Sequence, residues 1–154
     1  MVNSIIKSTT SNDIAGLTTV LDETKLFPSE MLSEMLAPAL ERTTDAFWLT
    51  CHHCGEAVGL CYTTPEEMAG GTWNMLALAV RPDLQGNRLG SALVSAAEQR
   101  LKDKRQRILI VETSGKDDFT RARKFYTRKG FEEEARIRDF WADGDDKVIF
   151  RKAL

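Results

Sequence analysis

Between residues 13 and 27, apolar side chains fall at helical spacing: Ile14, Leu17 and Leu21, behind Asn12 and Asp13, either of which can cap the first turn. This pattern predicts an amphipathic helix that Pro28 ends. Ser29 can cap a second helix, whose stripe of Met31, Leu32, Met35, Leu36 and Leu40 runs on through an irregularity at Pro38. The short apolar runs 46–51 and 57–62, separated by a turn containing Gly55, predict a hairpin. A longer strand is expected over 72–80, bounded by Gly70-Gly71 and Pro82. Leu89, Leu93, Ala97 and Leu101 recur every four residues with Ala92 and Ala96 beside them, which predicts a helix from Arg88 to Lys104. Within 107–113 the continuous run Ile108, Leu109, Ile110 and Val111 marks a strand covered on both faces in the middle of a sheet. Residues 118–129 read as a helix stopped at Gly130, a natural left-handed cap. Two loosely alternating stretches, 131–141 and 147–154, flank the turn-rich 142–146 and predict a closing antiparallel hairpin. With no Pro-, Gly- or Ser-rich linker and no internal repeat, one α+β layer structure over 1–154 accounts for the chain.

Composition narrows the class without naming an activity. At 154 residues, with 42% apolar and 29% charged positions, the chain can bury a real core, which excludes disordered, collagen-like and low-complexity functions. No apolar run approaches the ~20 residues that span a bilayer. The first residues, MVNSIIKSTTSND, lack the apolar centre of a signal peptide. Three cysteines cannot all pair within one chain, so a reducing, cytoplasmic location is expected.

Charge is distributed unevenly. Residues 11–46 carry seven acids against two bases, and residues 100–129 carry eleven bases against four acids. The first stretch should attract cations and the second phosphates, if these are more than solvated helix faces. A nucleic-acid surface is not expected, because the basic stretch has no interleaved aromatics and the overall pI is about 5.7. Cys51-His52-His53-Cys54 has the C-x-x-C spacing of a metal half-site, yet a second pair of ligands is missing, so no metal is expected.

The most informative stretch is LALAVRPDLQGNRLG, residues 76–90: a strand, a proline-ended turn, then a glycine-bearing turn that opens a helix. Backbone amides of such a turn, with the unpaired amides of the first helical turn, form an anion site at the positive end of the helix dipole. Here Val80-Arg81-Pro82 is followed by Gln85-Gly86-Asn87-Arg88-Leu89-Gly90, and a second block reads Ala122, Phe125-Tyr126, Gly130-Phe131. The two blocks resemble the signatures of the GNAT superfamily of acetyl-CoA-dependent N-acetyltransferases, V-x-P with Q/R-x-x-G-x-G/A and A-x-x-F/L-Y-x-x-x-G-F, in the order that superfamily has them. They cover roughly 73–140. Arg88 stands where the family usually has glycine and offers a guanidinium to a phosphate, and Phe119 stands where an asparagine often precedes the second block, implying a local rearrangement.

The resemblance implies a GNAT-type fold: a mixed, mostly antiparallel sheet with a splayed parallel strand pair and flanking helices. It implies that acetyl-CoA pairs with the backbone of Leu78, Ala79 and Val80, and that the amides from Gln85 through Gly86, Asn87, Arg88, Leu89 and Gly90 to Ser91 hold its pyrophosphate. Phe119, Ala122 and Phe125 would line the cofactor. Tyr126 is either the general acid, since a phenol pKa of about 10 nearly matches a departing alkyl thiolate, or an aromatic that only packs against the strand with its hydroxyl satisfied by a neighbour. Glu112 either draws the amine's proton through water or caps a turn with Ser114, while Asp139, Glu41 and Asp45 are suited to binding a cation. Trp73 and Trp141 either floor an acceptor pocket or simply pack. The expected reaction is direct attack by a primary amine, most simply a small cationic molecule, on acetyl-CoA in a ternary complex. The alternatives are acetylation of a protein N-terminus or lysine, and a non-catalytic acyl-CoA sensor. The resemblance also admits a homodimer.

Overall fold

The computed structural model describes residues 4–154. In chain order its elements are β1 (Ser4–Ser8), α1 (Ile14–Thr24), α2 (Leu32–Leu40), β2 (Phe47–His53), β3 (Glu56–Pro65), β4 (Thr72–Val80), α3 (Leu89–Asp103), β5 (Ile108–Ser114), α4 (Thr120–Arg128), β6 (Glu132–Ala142) and β7 (Asp145–Ala153). The seven strands follow the order β1-β2-β3-β4-β5-β7-β6. Pairings β1–β2, β2–β3, β5–β7 and β7–β6 are antiparallel. β4 and β5 are parallel, and their register covers only Thr72–Asn74 against Ile108–Ile110, the short contact expected of a splayed pair. By Cα proximity the chain divides into two compact units, Met1–Thr64 with Leu76–Arg100 and Pro65–Met75 with Leu101–Leu154, so β4 belongs to both.

In the first unit, Leu17, Val20 and Leu21 of α1 and Leu32 and Leu36 of α2 pack on Trp48, Leu60, Ala77 and Ala79. The opposite face of β3 carries Gly59, where a Cβ would lie 3.1 Å from the Ala79 carbonyl oxygen and 3.2 Å from Leu93 Cδ1 of α3. Side chains alternate across a strand, so the absent side chain at Gly59 is what admits α3. Pro38 stays inside α2, in its last turn, where its missing N–H leaves a single carbonyl unpaired by the helix.

The β2–β3 hairpin is longer than the apolar runs indicate: the strands reach His53 and Glu56, and the turn is Cys54-Gly55, at φ 51° and 83°. Both central residues are left-handed, the geometry that matches the twist of a two-residue hairpin. β1 is an element the hydrophobic pattern does not announce; it is held by its register with β2, Ser4 against His53 to Ser8 against Leu49.

In the second unit, Leu109, Val111, Val148 and Phe150 of β5 and β7 are buried, with Tyr126 and Phe131 against them. Ile108 and Ile110 are only half-buried, so β5 alternates and is fully covered on one face, not on both as its unbroken apolar run indicates. The closing hairpin also differs from expectation. β6 and β7 reach Ala142 and Asp145, leaving Asp143-Gly144 as the turn, and β6 carries register shifts between Glu133 and Ala135 and between Ile137 and Ala142. Those irregularities are why its alternation reads loosely. Among the described residues no helix is long and apolar enough to cross a membrane.

Candidate active site

The end of β4 and the turn into α3 lie in the first unit. Ala79 and Val80 are buried and Leu78 is half-buried. Pro82–Leu84 forms one 3-10 turn, after which Gln85 is extended and its Nε2 donates to the Val80 carbonyl at 3.0 Å, tying the turn back to the strand. Asn87 Nδ2 closes the turn on the Leu84 carbonyl at 3.0 Å. Gly86 has φ 87°, with nothing within 4 Å of where a Cβ would stand. Arg88 has φ 62°, so this arginine adopts the left-handed conformation that glycine takes without strain.

The first α3 hydrogen bond runs from the Ala92 N–H to the Arg88 carbonyl at 3.0 Å. The amides of Leu89 and Gly90 therefore precede the helical ladder, at the positive end of a 15-residue helix. A diphosphate fits these amides: the cradle is open at Gly86, its donors are backbone groups, and the exposed Arg88 stands beside it. Arg81 is engaged elsewhere, donating through Nε to Asp83 at 2.7 Å and through Nη1 to Glu56 at 3.3 Å, and its guanidinium holds the Asp83 carboxyl below the usual range.

The ionisable groups lie in the second unit. Tyr126 is buried in an aromatic cluster, its ring centroid 5.3 Å from that of Phe125 and 5.7 Å from those of Phe131 and Phe150. The end of α4 sets its place. The Phe131 N–H donates to the Tyr126 carbonyl at 3.0 Å and the Gly130 N–H to Thr127 at 3.1 Å, with Gly130 at φ 89°. These are the two bonds of a Schellman motif. At the other end, Arg123 Nη1 donates to the carbonyls of Ser114 and Lys116, and Nη2 to Thr120, pinning the loop that leads into the helix. Phe119 closes a 3-10 turn and is exposed, and Ala122 is half-buried.

Glu112 does not cap the turn at Ser114. Ser114 Oγ instead donates to Asp145 and accepts the Lys116 N–H. Glu112 Oε1 accepts from Asn74 Nδ2 at 2.8 Å, and Oε2 meets Lys147 Nζ at 2.5 Å. Asn74 also donates to Glu66 at 2.9 Å. The Lys147 ammonium lies 4.1 Å from the ring centroid of Phe140 and 5.7 Å from that of Trp141, which are themselves edge to face.

Val111 pairs with Phe150 and Glu112 with Ile149 across β5–β7. Successive side chains point to opposite faces, so Glu112 and Tyr126 occupy opposite faces of the same sheet. Asn74, Lys147 and Arg123 are the contributors that pattern reasoning missed; Asn74 and Lys147 come to Glu112 only through strand register. Trp73 is buried and donates to Gln106 at 2.9 Å, whereas Trp141 is half-exposed and donates to the Thr113 carbonyl at 3.2 Å. Asp139 lies within β6 and accepts the Gly144 N–H of the β6–β7 turn at 2.9 Å.

The cysteines of the C-x-x-C stretch do not converge. Cys51 is buried and Cys54 sits exposed at the hairpin tip. His52 Nε2 instead pairs at 2.7 Å with buried Asp13. Among the described residues no group of three or more His, Cys, Asp or Glu side chains could hold a metal ion.

The model of the acetyltransferase (GNAT) family matches residues 15–131. No curated protein matches the chain. Among solved structures, a Desulfovibrio desulfuricans protein assigned to the GNAT family of acetyltransferases superposes with a TM-score of 0.88 at 25% identity, over 97% of this chain and 98% of its own. The ribosomal-protein-S18-alanine N-acetyltransferase of Escherichia coli follows with a TM-score of 0.79 at 17% identity, over 98% and 94%. An aminoglycoside 6'-N-acetyltransferase complexed with coenzyme A gives 0.79 at 16% identity, over 97% and 96%. The last two likenesses speak to the fold.

Proposed function

Because the chain belongs to the acetyltransferase (GNAT) family, we propose that it carries an acetyl group from acetyl-CoA to the primary amine of a small cationic molecule, by direct attack on the thioester. The family match crosses both compact units, which favours reading 1–154 as one catalytic domain. In the first unit, the amides from Gln85 to Ser91 and the Arg88 guanidinium bind the pyrophosphate, and the backbone of Leu78, Ala79 and Val80 pairs with the pantetheine arm.

The observation that carries catalysis, as opposed to binding alone, is the division of Glu112 and Tyr126 between the two faces of the sheet at β5. Glu112, held by Asn74 and Lys147, takes the proton of an amine arriving on its face, directly or through one water. Tyr126 delivers a proton to the departing thiolate on the other. A sensor needs neither group. The acidic composition of residues 11–46 favours a cationic acceptor over a neutral one.

The test is incubation of the protein with isotopically labelled acetyl-CoA and a mixed pool of amines and peptides, with products read by mass spectrometry. A labelled small amine is expected with the wild type. Tyr126→Phe, which keeps the packed ring, should lower kcat by roughly 10²–10⁴ without loss of acetyl-CoA binding. A labelled peptide N-terminus or lysine in place of the small amine would move the assignment to protein acetylation. Calorimetric binding of acetyl-CoA with no labelled product would make the chain a sensor.

A further inference from the structure

We propose that Lys147 is itself an acetyl acceptor, so that the protein acetylates its own chain at this residue in cis; the inference rests on the acetyl-transfer reading above. Acetyl transfer needs an amine within reach of a carboxylate that can take its proton, and the chain supplies that pair: Lys147 Nζ lies 2.5 Å from Glu112 Oε2. Lys147 is held on several sides. Its side chain is only 13% exposed, and its ammonium is enclosed by the Glu112 carboxylate and the rings of Phe140 and Trp141. Both rings are 47% exposed, so the side chains that flank the ammonium reach solvent. Holding amine and base together converts an encounter into a first-order step, which is where much of the rate gain of an intramolecular reaction originates.

The balance is that of any amine acceptor. The ammonium gives one proton to Glu112, a C–N bond forms between Nζ and the acetyl carbon, and the thioester C–S bond breaks. The nitrogen loses a second proton as the amide forms, and the thiolate leaves as CoA thiol after taking one proton; one proton is released overall. The neutral amide that results can no longer pair with Glu112, so the modification would free that carboxylate for an external amine.

The test follows each lysine by peptide mapping after addition of labelled acetyl-CoA, with an external amine in the same tube. Lys147 should be labelled at least about tenfold faster than exposed Lys124. Its first-order rate should not change on dilution of the protein, and Lys147→Arg should abolish the label at position 147. If the external amine is acetylated while Lys147 stays unlabelled, or is labelled no faster than Lys124, this inference falls and the acetyl-transfer reading stands. A Lys147 rate that rises in proportion to protein concentration would overturn transfer in cis. No label on either acceptor would overturn both.

Discussion

The backbone carbonyl of Tyr126 accepts the N–H of Phe131 at 3.0 Å, and the two rings stand edge to face with centroids 5.7 Å apart. The residue proposed as proton donor is therefore fixed by the way its own helix ends. Gly130 makes that ending through its φ of 89°. Gly130→Ala should cost about 1–2 kcal/mol, the left-handed penalty for a residue with a Cβ. It should also lower kcat by displacing Tyr126 while leaving acetyl-CoA affinity unchanged. Thermal denaturation, steady-state kinetics and calorimetry on this one variant separate the effects. A destabilised protein with wild-type kcat would show that the helix end does not hold the acid.

Arg88 serves two demands that pull in opposite directions. Its backbone sits at φ 62°, where glycine is unstrained, while its exposed guanidinium is the group proposed to meet the pyrophosphate. Arg88→Gly should raise stability by about 0.5–1 kcal/mol, the strain relieved being larger than the chain entropy added. The same change should weaken acetyl-CoA binding about five- to tenfold and flatten its salt dependence, because a charge-assisted contact to phosphate is lost. A melting temperature that rises with no change in Kd would mean the guanidinium does not touch the ligand.

What could be read in advance was local. Val80-Arg81-Pro82 and Gly86 report a strand end and a left-handed turn within a few residues, and Gly130-Phe131 reports a helix stop, because glycine and proline act on their own dihedral angles. The α3 stripe was equally plain, since one face of the helix is buried throughout. What escaped depends on register between distant segments. Asn74 and Glu112 lie 38 residues apart in sequence and meet because β4 and β5 pair in parallel. His52 and Asp13 are 39 apart, and Asp13, which reads as a cap for α1, makes no side-chain cap bond there and turns its carboxylate to the Thr10 N–H and the His52 imidazole. β1 escaped for the same reason: five residues with little alternation become a strand only against β2.

Gly59 is a packing residue whose importance shows only in the assembled first unit. A Cβ there would meet the Ala79 carbonyl at 3.1 Å, Leu93 Cδ1 at 3.2 Å and Cys51 Cβ at 3.3 Å, so it would be crowded from three sides and by backbone on one. Gly59→Ala should therefore destabilise the protein by about 1–3 kcal/mol in urea denaturation, as overpacking does in a dense core. Gly70→Ala is the control: its Cβ would meet nothing within 4 Å, and its effect should stay within about 0.5 kcal/mol. Equal effects at the two positions would refute close packing at Gly59.

The three cysteines should behave as differently as their surroundings. Cys61 is fully buried, and desolvation pushes its thiol up to about 12, opposed only in part by the Thr63 hydroxyl 3.4 Å away. Burial raises Cys51 as well, whereas Cys54 is exposed at the hairpin tip. Native alkylation followed by peptide mapping should modify Cys54 alone, and all three in urea. The same shift makes stability depend on pH. A folded thiol pKa above the ordinary 9.0 means that the unfolded chain ionises first. The contribution of Cys61 is thus complete below pH 9.0 and is lost as pH rises from there towards 12. The urea midpoint should fall over that window, and the fall should be shallower in Cys61→Ala, after allowance for its cavity, because the group that titrates in the unfolded chain is gone. A midpoint that rises with pH above 9.0, or a Cys61 alkylated as fast as Cys54, would show that this thiol is not sealed in the core.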